Sequence, residues 1–332
     1  MPEPVQDPAS ITLGRTDLQV SRLGIGAMVW GEMSTAPWWS PARSAYGPTS
    51  TASDQREALE VSLAAGVNFL DTAAMYGKGV SERRVGELTK GKDMALATKF
   101  PFGNFSRESS LPATLDESLS RLQRTRIDLY QIHYPFPWMS IPKLMNLMAD
   151  VVEAGKARAV GVSNYNAKQM RTAHTELAKR GIPLASNQVQ YSLLHRQPET
   201  DGVLEACREL GVTLIAYMPL ASGALTGKYS ASTRPAGWRR YGKHFRGKNL
   251  VRLGELLELL RQIGDRHGVG PAQVAVRWLI QQDQVLPIVG AKNGTQARQN
   301  ADALTFTLDV GELDALSAIT KPVSSRRQRM PS

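Results

Sequence analysis

The sequence predicts an α/β protein in which eight parallel strands close into a barrel wrapped by helices, and three observations predict it. Short β-rich apolar runs recur eight times along the 332 residues, and amphipathic segments of helical period separate them. No G-x-G-x-x-G fingerprint follows the first run, where "LGIGAM" has the wrong spacing, so the open doubly wound sheet loses its best support. Eight strands is the number that closes a barrel, and the length is ordinary for one such domain. The expected fold is an (α/β)8 TIM barrel with an N-terminal β-hairpin and long loops after strands 1 and 7.

In chain order, "ITLGRTDLQVSRL" alternates around Thr16-Asp17 and predicts a short hairpin that plugs the N-terminal end of the barrel. Barrel strands are predicted at 22–28, 67–70, 94–98, 127–132, 157–162, 184–189, 212–217 and 285–289. Helices are predicted for "DQREALEVSLAAG", "LPATLDESLSRLQ", "PKLMNLMADVVEAG", "NAKQMRTAHTELAKRG" and "PAQVAVRWLIQQ". Ser53 and Asp54 are positioned to cap the first helix and Asn166 another, Gly66, Gly155 and Gly181 to stop theirs, and Pro271 suits a first turn. The loops at 31–53 and 221–250 are unusually long, and loops of that length in a compact fold are usually functional or disordered. One domain over 1–332 is expected, with 321–332 as a flexible basic tail.

Composition narrows the function classes. A hydrophobic content of 42% with 21% charged residues is that of a globular protein able to bury its own core. Cys207 is the single cysteine, in a helical pattern, so neither a disulfide framework nor a thiolate metal cluster is expected. The start "MPEPVQDPAS" lacks a basic n-region and an apolar h-region, and no apolar run is long enough to span a bilayer; a cytoplasmic location is expected. The net charge of +10 is uneven: Lys228, Arg234, Arg239, Arg240, Lys243, Arg246 and Lys248 fall in one stretch without an acid. "RPAGWRRYGKHFRGK" within it admits a nucleic-acid reading, but its place after the seventh strand favours a lid that clamps phosphate.

Barrels of this class do their chemistry at the C-terminal ends of the strands. Strand 2 ends in Asp71, with Tyr76 beyond it; strand 3 ends in Lys99 ("ALATKF") and strand 4 in His133 ("DLYQIHYPF"). Strand 5 ends in Ser163-Asn164, strand 6 in Gln188, strand 7 in Tyr217 and strand 8 in Gly290-Ala291. Singly, each has a bland reading as a cap, a packing ring or a solvated amine. Together, an acid, a phenol, an amine and an imidazole on three consecutive strand ends point to chemistry. A phenol with an ordinary pKa near 10 is a poor acid at neutral pH, and an ammonium beside it favours the phenolate. Lys99 can supply that charge, Asp71 can compensate a buried Lys99, and His133 can donate to a substrate carbonyl or help relay the proton.

At these residues the sequence resembles the aldo-keto reductases. "DTAAMYG", "ATK" and "DLYQIH" carry the resemblance, joined by "GVSNY", "NQVQYS", "AYMPLASGALTGKY" and "GAKNGTQARQN", over roughly residues 11 to 310. The branch it resembles most holds bacterial and plant reductases and potassium-channel β subunits. The resemblance implies an (α/β)8 barrel binding NADPH without a Rossmann fold, with Tyr76 as proton donor, Asp71 and Lys99 tuning it, and His133 orienting the carbonyl. It implies Ser163, Asn164 and Gln188 on the nicotinamide carboxamide and Tyr217 stacked on the ring. Met218, Pro219, Leu220, Ala221 and Gly223, with Leu225 and Lys228, would cradle the pyrophosphate, and Arg239 would lie near the cofactor. Gly290, Lys292, Gln296, Gln299 and Asn300 would hold the adenosine end, where the Lys292 point charge and a helix N-terminus suit a 2′-phosphate. Trp30 and Gly31 after the first strand are further cofactor candidates. Met218 departs from the serine common at its position in the family, and the loop after strand 1 is longer than usual.

Trp30, Trp38, Trp39, Tyr134, Phe136 and Trp138 are expected to flank the barrel mouth and line a pocket for a bulky or aromatic carbonyl compound, or else to pack against each other. No metal is expected in the site. Two other functions stay open on the sequence: a Schiff-base aldolase on Lys99, and a cofactor-binding redox sensor with little turnover.

Overall fold

A computed structural model describes residues 10–31, 50–101, 107–229, 233, 245 and 247–321. Trp38, Trp39, Arg239 and the basic tail beyond 321 lie outside the described residues, as do residues 32–49 of the first long loop and half of the second. Ser10–Thr12 (β1) and Gln19–Ser21 (β2) form an antiparallel hairpin closed by Leu13 N–H donating to Leu18 O at 2.9 Å. The barrel strands are Gly24–Gly26 (β3), Phe69–Asp71 (β4), Ala95–Phe100 (β5), Ile127–Ile132 (β6), Ala157–Ser163 (β7), Leu184–Gln190 (β8), Thr213–Tyr217 (β9) and Val285–Val289 (β10). They are parallel and close in the order β10-β3-β4-β5-β6-β7-β8-β9. Each predicted strand is present, with bounds shifted by at most two residues.

Two apolar layers hold this arrangement. Inside the barrel, Phe69, Ala97, Leu129, Ala159, Ala185, Ile215 and Leu286 pack against Ile11, Leu13, Leu18 and Val20 of the hairpin. The plug sits at the N-terminal end, because Gly14 N–H donates at 2.8 Å to the hydroxyl of Thr213, the first residue of β9. Gly14 (φ +58) must be glycine there: a Cβ would lie 2.7 Å from Ala185 O. Outside, the larger core joins the strands to the surrounding helices. Plugging one end of the barrel leaves the other end for a site.

The helices wrapping the barrel include Ala52–Ala64 (α1), Val80–Thr89 (α2), Leu111–Leu122 (α3), Ile141–Glu153 (α4) and Ala167–Ala178 (α5). Val203–Leu210 (α6), Gly247–His267 (α7), Pro271–Ile280 (α8), Gly294–Ala301 (α9) and Val310–Ile319 (α10) follow. The cap expected at Ser53-Asp54 is corrected to Thr51: its hydroxyl accepts from Asp54 N–H at 3.1 Å, and Asp54 returns the bond as the third helical residue. Asn166 caps α5 as expected, and Gly66, Gly155 and Gly181 follow their helices at positive φ. The expected loop 221–250 is shorter at both ends, with a 3-10 turn at Ala221–Thr226 and α7 starting at 247. No helix among the described residues is long and apolar enough to cross a membrane.

Candidate active site

Asp71 is the last residue of β4, Lys99 the second-last of β5, and His133 follows β6 directly, so three neighbouring strands end together. Lys99 is fully buried and its Nζ donates to Asp71 Oδ2 at 2.5 Å and to Thr72 O at 2.8 Å. Burial pulls the Lys99 amine below its ordinary range, while the Asp71 carboxylate and, further off, Glu82 oppose that. The other Asp71 oxygen, Oδ1, accepts from Gln188 Nε2 at 2.9 Å and Gln131 Nε2 at 3.2 Å.

Tyr76 opens the turn Tyr76–Gly79, in which Gly77 (φ 57), Lys78 (φ 54) and Gly79 (φ 84) are all left-handed. Such a turn is short enough to keep the phenol close to β4, and α2 behind it is pinned by Ser81, whose hydroxyl donates to Ala27 O at 2.7 Å. Lys99 Nζ lies 5.2 Å from the centroid of the Tyr76 ring, over its face. The His133 ring meets Tyr76 edge-on at 5.7 Å and stacks on Tyr134 at 5.1 Å. Burial, reinforced by the Lys99 charge, lowers His133 to about 3, so its imidazole is neutral at physiological pH. Its Nδ1 is buried and makes no hydrogen bond.

A cavity of about 810 Å³ opens on this group. Asp71, Tyr76, His133 and Tyr134 line one part together with Met28, Val29 and Met75. Ser163, Asn164, Gln188 and Tyr217 line the next part. Asn164, held left-handed at φ 61, donates its Nδ2 to His133 O at 3.1 Å and Ser163 Oγ at 3.0 Å, and accepts from Tyr217 OH at 3.0 Å. Beyond lie Met218, Pro219, Leu220, Gly223 and Lys228, and also Gly290, Lys292, Gln296, Gln299 and Asn300. Met218 (φ 53), Ala221 (φ 48) and Ser222 (φ 57) are non-glycine residues in the left-handed region, strain of order 1 kcal/mol or more each that tends to collect at ligand-binding turns. Asn293 caps α9, accepting from Gln296 N–H at 3.0 Å, and Lys292 immediately precedes it.

Several expected pocket residues sit elsewhere. The Trp30 indole is fully buried and its Nε1 donates to Ala291 O at 2.8 Å, which ties the end of β3 to the end of β10; it is corrected from pocket lining to core. Gly31 (φ +98) packs on Val80 of α2, where a Cβ would lie 2.4 Å from Val80 Cγ1, and does not line the cavity. Ala221 and Leu225 are buried beneath the turn, not on the cavity wall. Phe136 packs between Phe100 and Trp138, with ring centroids 5.8 and 5.7 Å away, and neither Phe136 nor Trp138 lines the cavity. This is the mutual packing offered above as the alternative for the aromatics. Lys99 lies behind Asp71 and does not line the cavity either, which removes the open approach a Schiff-base amine needs.

Sequence reasoning missed Met28, Val29, Met75 and Gln131. The first three are apolar residues in apolar or small-residue runs and carry no signal of their own. Gln131 did carry one, as an uncharged polar residue inside the strand "IDLYQI".

Residues 22–321 match the Aldo/keto reductase family. An uncharacterized oxidoreductase of Mycobacterium tuberculosis is 38% identical over 320 residues, which is 93% of either chain. The aldo-keto reductase yakc [NADP(+)] of Schizosaccharomyces pombe is 34% identical over 79% of this chain and 81% of its own. The solved structure of a glycerol dehydrogenase from Gluconobacter oxydans superposes with a TM-score of 0.81, at 24% identity, over 96% of this chain and 98% of the other, and shows the shared fold. The barrel and the match over nearly its whole length make this chain an oxidoreductase of the aldo/keto reductase family, whose general chemistry is carbonyl reduction.

Proposed function

We propose that the chain reduces aldehydes or ketones to alcohols with NADPH, and that Tyr76 gives the proton. The observation that carries this reading is the convergence of Tyr76, the Lys99–Asp71 pair and His133 at one part of a single large cavity. The cavity fits a dinucleotide: it has carboxamide partners in Asn164 and Gln188, a strained turn at Met218–Gly223, and cations Lys228 and Lys292 farther along. Bound there, the nicotinamide would supply a hydride. The residues supply the rest. Asn164 and Ser163 are held rigidly enough to orient a carboxamide, because each is hydrogen-bonded to neighbouring strand ends.

His133 stays neutral far below physiological pH, so it can donate a hydrogen bond to a carbonyl oxygen without competing as an acid. The Lys99 charge favours phenolate and makes Tyr76 a stronger acid toward the developing alkoxide. Asp71 keeps the charge of Lys99 tolerable at a fully buried position. Preference for NADPH over NADH is supported by Lys292 beside the α9 N-terminus and by the NADP(+) in the name of the fission-yeast relative. Met28, Val29, Met75 and Tyr134 make the carbonyl end apolar, which supports neutral, bulky substrates.

The test is NADPH oxidation by the purified protein against a panel of aldehydes and ketones. Turnover is expected, with Tyr76→Phe losing about 10²–10⁴ in kcat at unchanged NADPH affinity. A full-rate Tyr76→Phe enzyme, or no turnover of any carbonyl, refutes the reading.

A further inference from the structure

Asp71 has more partners than its ion pair requires. Lys99 takes Oδ2, while Oδ1 accepts from both Gln188 and Gln131. Gln188 lines the cavity, but Gln131 does not: it is fully buried on β6, directly beside Lys99 in the strand register. A carboxamide inside a barrel loses its hydration and is tolerated only when both of its ends find partners. The Oε1 end faces the Ser186 hydroxyl at 3.4 Å, and because that hydroxyl can give its proton to a carbonyl oxygen, the Nε2 end is left to Asp71. Gly161 makes the space: a Cβ there would lie 2.2 Å from Ser186 Oγ and 3.3 Å from Gln131 Cγ. Residues of β6, β7 and β8 are thus shaped around one donor to Asp71.

A buried Lys–Asp pair has two places for its proton. In the ionic form it stays on Lys99 Nζ; in the neutral form it passes along the contact to Asp71 Oδ2, and both charges vanish together. Low dielectric favours the neutral form, and burial already pulls the Lys99 amine down. Amide N–H donors stabilise a carboxylate, so they favour the ionic form. We propose that Gln131, oriented by Ser186, is a positioning residue that holds the Asp71–Lys99 pair ionic, so that Lys99 presents its full charge to Tyr76. This rests on Tyr76 being the proton donor.

Gln131→Met keeps the volume and removes the donor. The expected result in the alcohol-oxidising direction, where Tyr76 must be ionised, is an acid limb of the kcat profile moved up by about one pH unit, the size of one hydrogen bond to a charge. Alcohol KM and NADP+ affinity stay as in the parent. Ser186→Ala, which frees the carboxamide to turn, moves the limb the same way by less. A merely structural role would lower stability without moving the limb. An unmoved limb in folded Gln131→Met overturns the proposal; should that variant fail to fold, an unmoved limb in Ser186→Ala does so. Tyr76→Phe separates the two readings. If it keeps turnover, the proton-donor assignment falls and this inference with it. If it is inactive while the Gln131 and Ser186 limbs stay put, this inference alone falls.

Discussion

Removing the Lys99 ammonium tests the electrostatics of the site most directly. Lys99 Nζ is 5.2 Å from the Tyr76 ring centroid. At an effective dielectric constant of about 20, a unit charge at that distance is worth about 3 kcal/mol to a phenolate, or about two pH units. In Lys99→Met the acid limb of alcohol oxidation should therefore move up by about two units, and the rate at pH 7 should fall about 100-fold. Stability should fall too, by about 3–5 kcal/mol, because Asp71 keeps its carboxamide donors but loses the only cation paired with it among the described residues. The double variant Asp71→Asn/Lys99→Met removes both charges and should recover most of that loss while remaining as impaired in catalysis. Urea denaturation at constant m-value measures the first effect and the pH dependence of kcat the second. If the limb does not move, or if the double variant is no more stable than Lys99→Met, the buried pair neither tunes Tyr76 nor compensates its own charges.

Three further outcomes follow from other parts of the structure. His133 titrates at about 3 when folded against an ordinary 6.5, so the stability it contributes is complete above about pH 6.5 and is lost as pH falls toward 3, at about 1.4 kcal/mol per unit. Thermal or urea unfolding of His133→Gln should show a correspondingly shallower decline between pH 6.5 and 4, and identical slopes would contradict the burial argument. Lys292→Ala should weaken NADPH binding about tenfold in a fluorescence titration and leave NADH unchanged, on the scale of one charge-assisted hydrogen bond; an equal loss for both cofactors would place the lysine away from the 2′-phosphate. Gly161→Ala forces a methyl group to within 2.2 Å of Ser186 Oγ and should cost about 1–3 kcal/mol in urea, with a loss of activity that tracks the displaced Gln131.

The barrel was legible in the sequence because its signals are local. Apolar runs such as "IDLYQI" and "VLPIV" need cover on both faces wherever they end up, and the helical segments between them supply it. Asp71, Tyr76, Lys99 and His133 were legible for a related reason: polar residues at the ends of consecutive apolar strands must emerge at one end of a barrel. The helices α2, α7 and α10 were not called from the sequence. In α2, "VSERRVGELT" buries Glu82 and Ser81 along with Val85, so its core-facing side is partly polar and its apolar period weak.

Only the tertiary structure decided which way the neighbouring side chains face. Trp30 is one residue from cavity-lining Val29, yet it turns into the core because Ala291 O is there to accept its indole N–H. Phe136 is two residues from cavity-lining Tyr134, yet it finds Phe100 and Trp138. Gln131 reads as one polar residue in a strand until folding brings Asp71, 60 positions away, and Ser186, 55 positions away, to its two ends. The sequence by itself determined the strand order of residue types, and with it the barrel and the four groups at its open end. The partners that set their charges come from strands far apart in the chain, and hydrogen-bond complementarity across that distance exists only once the sheet has closed.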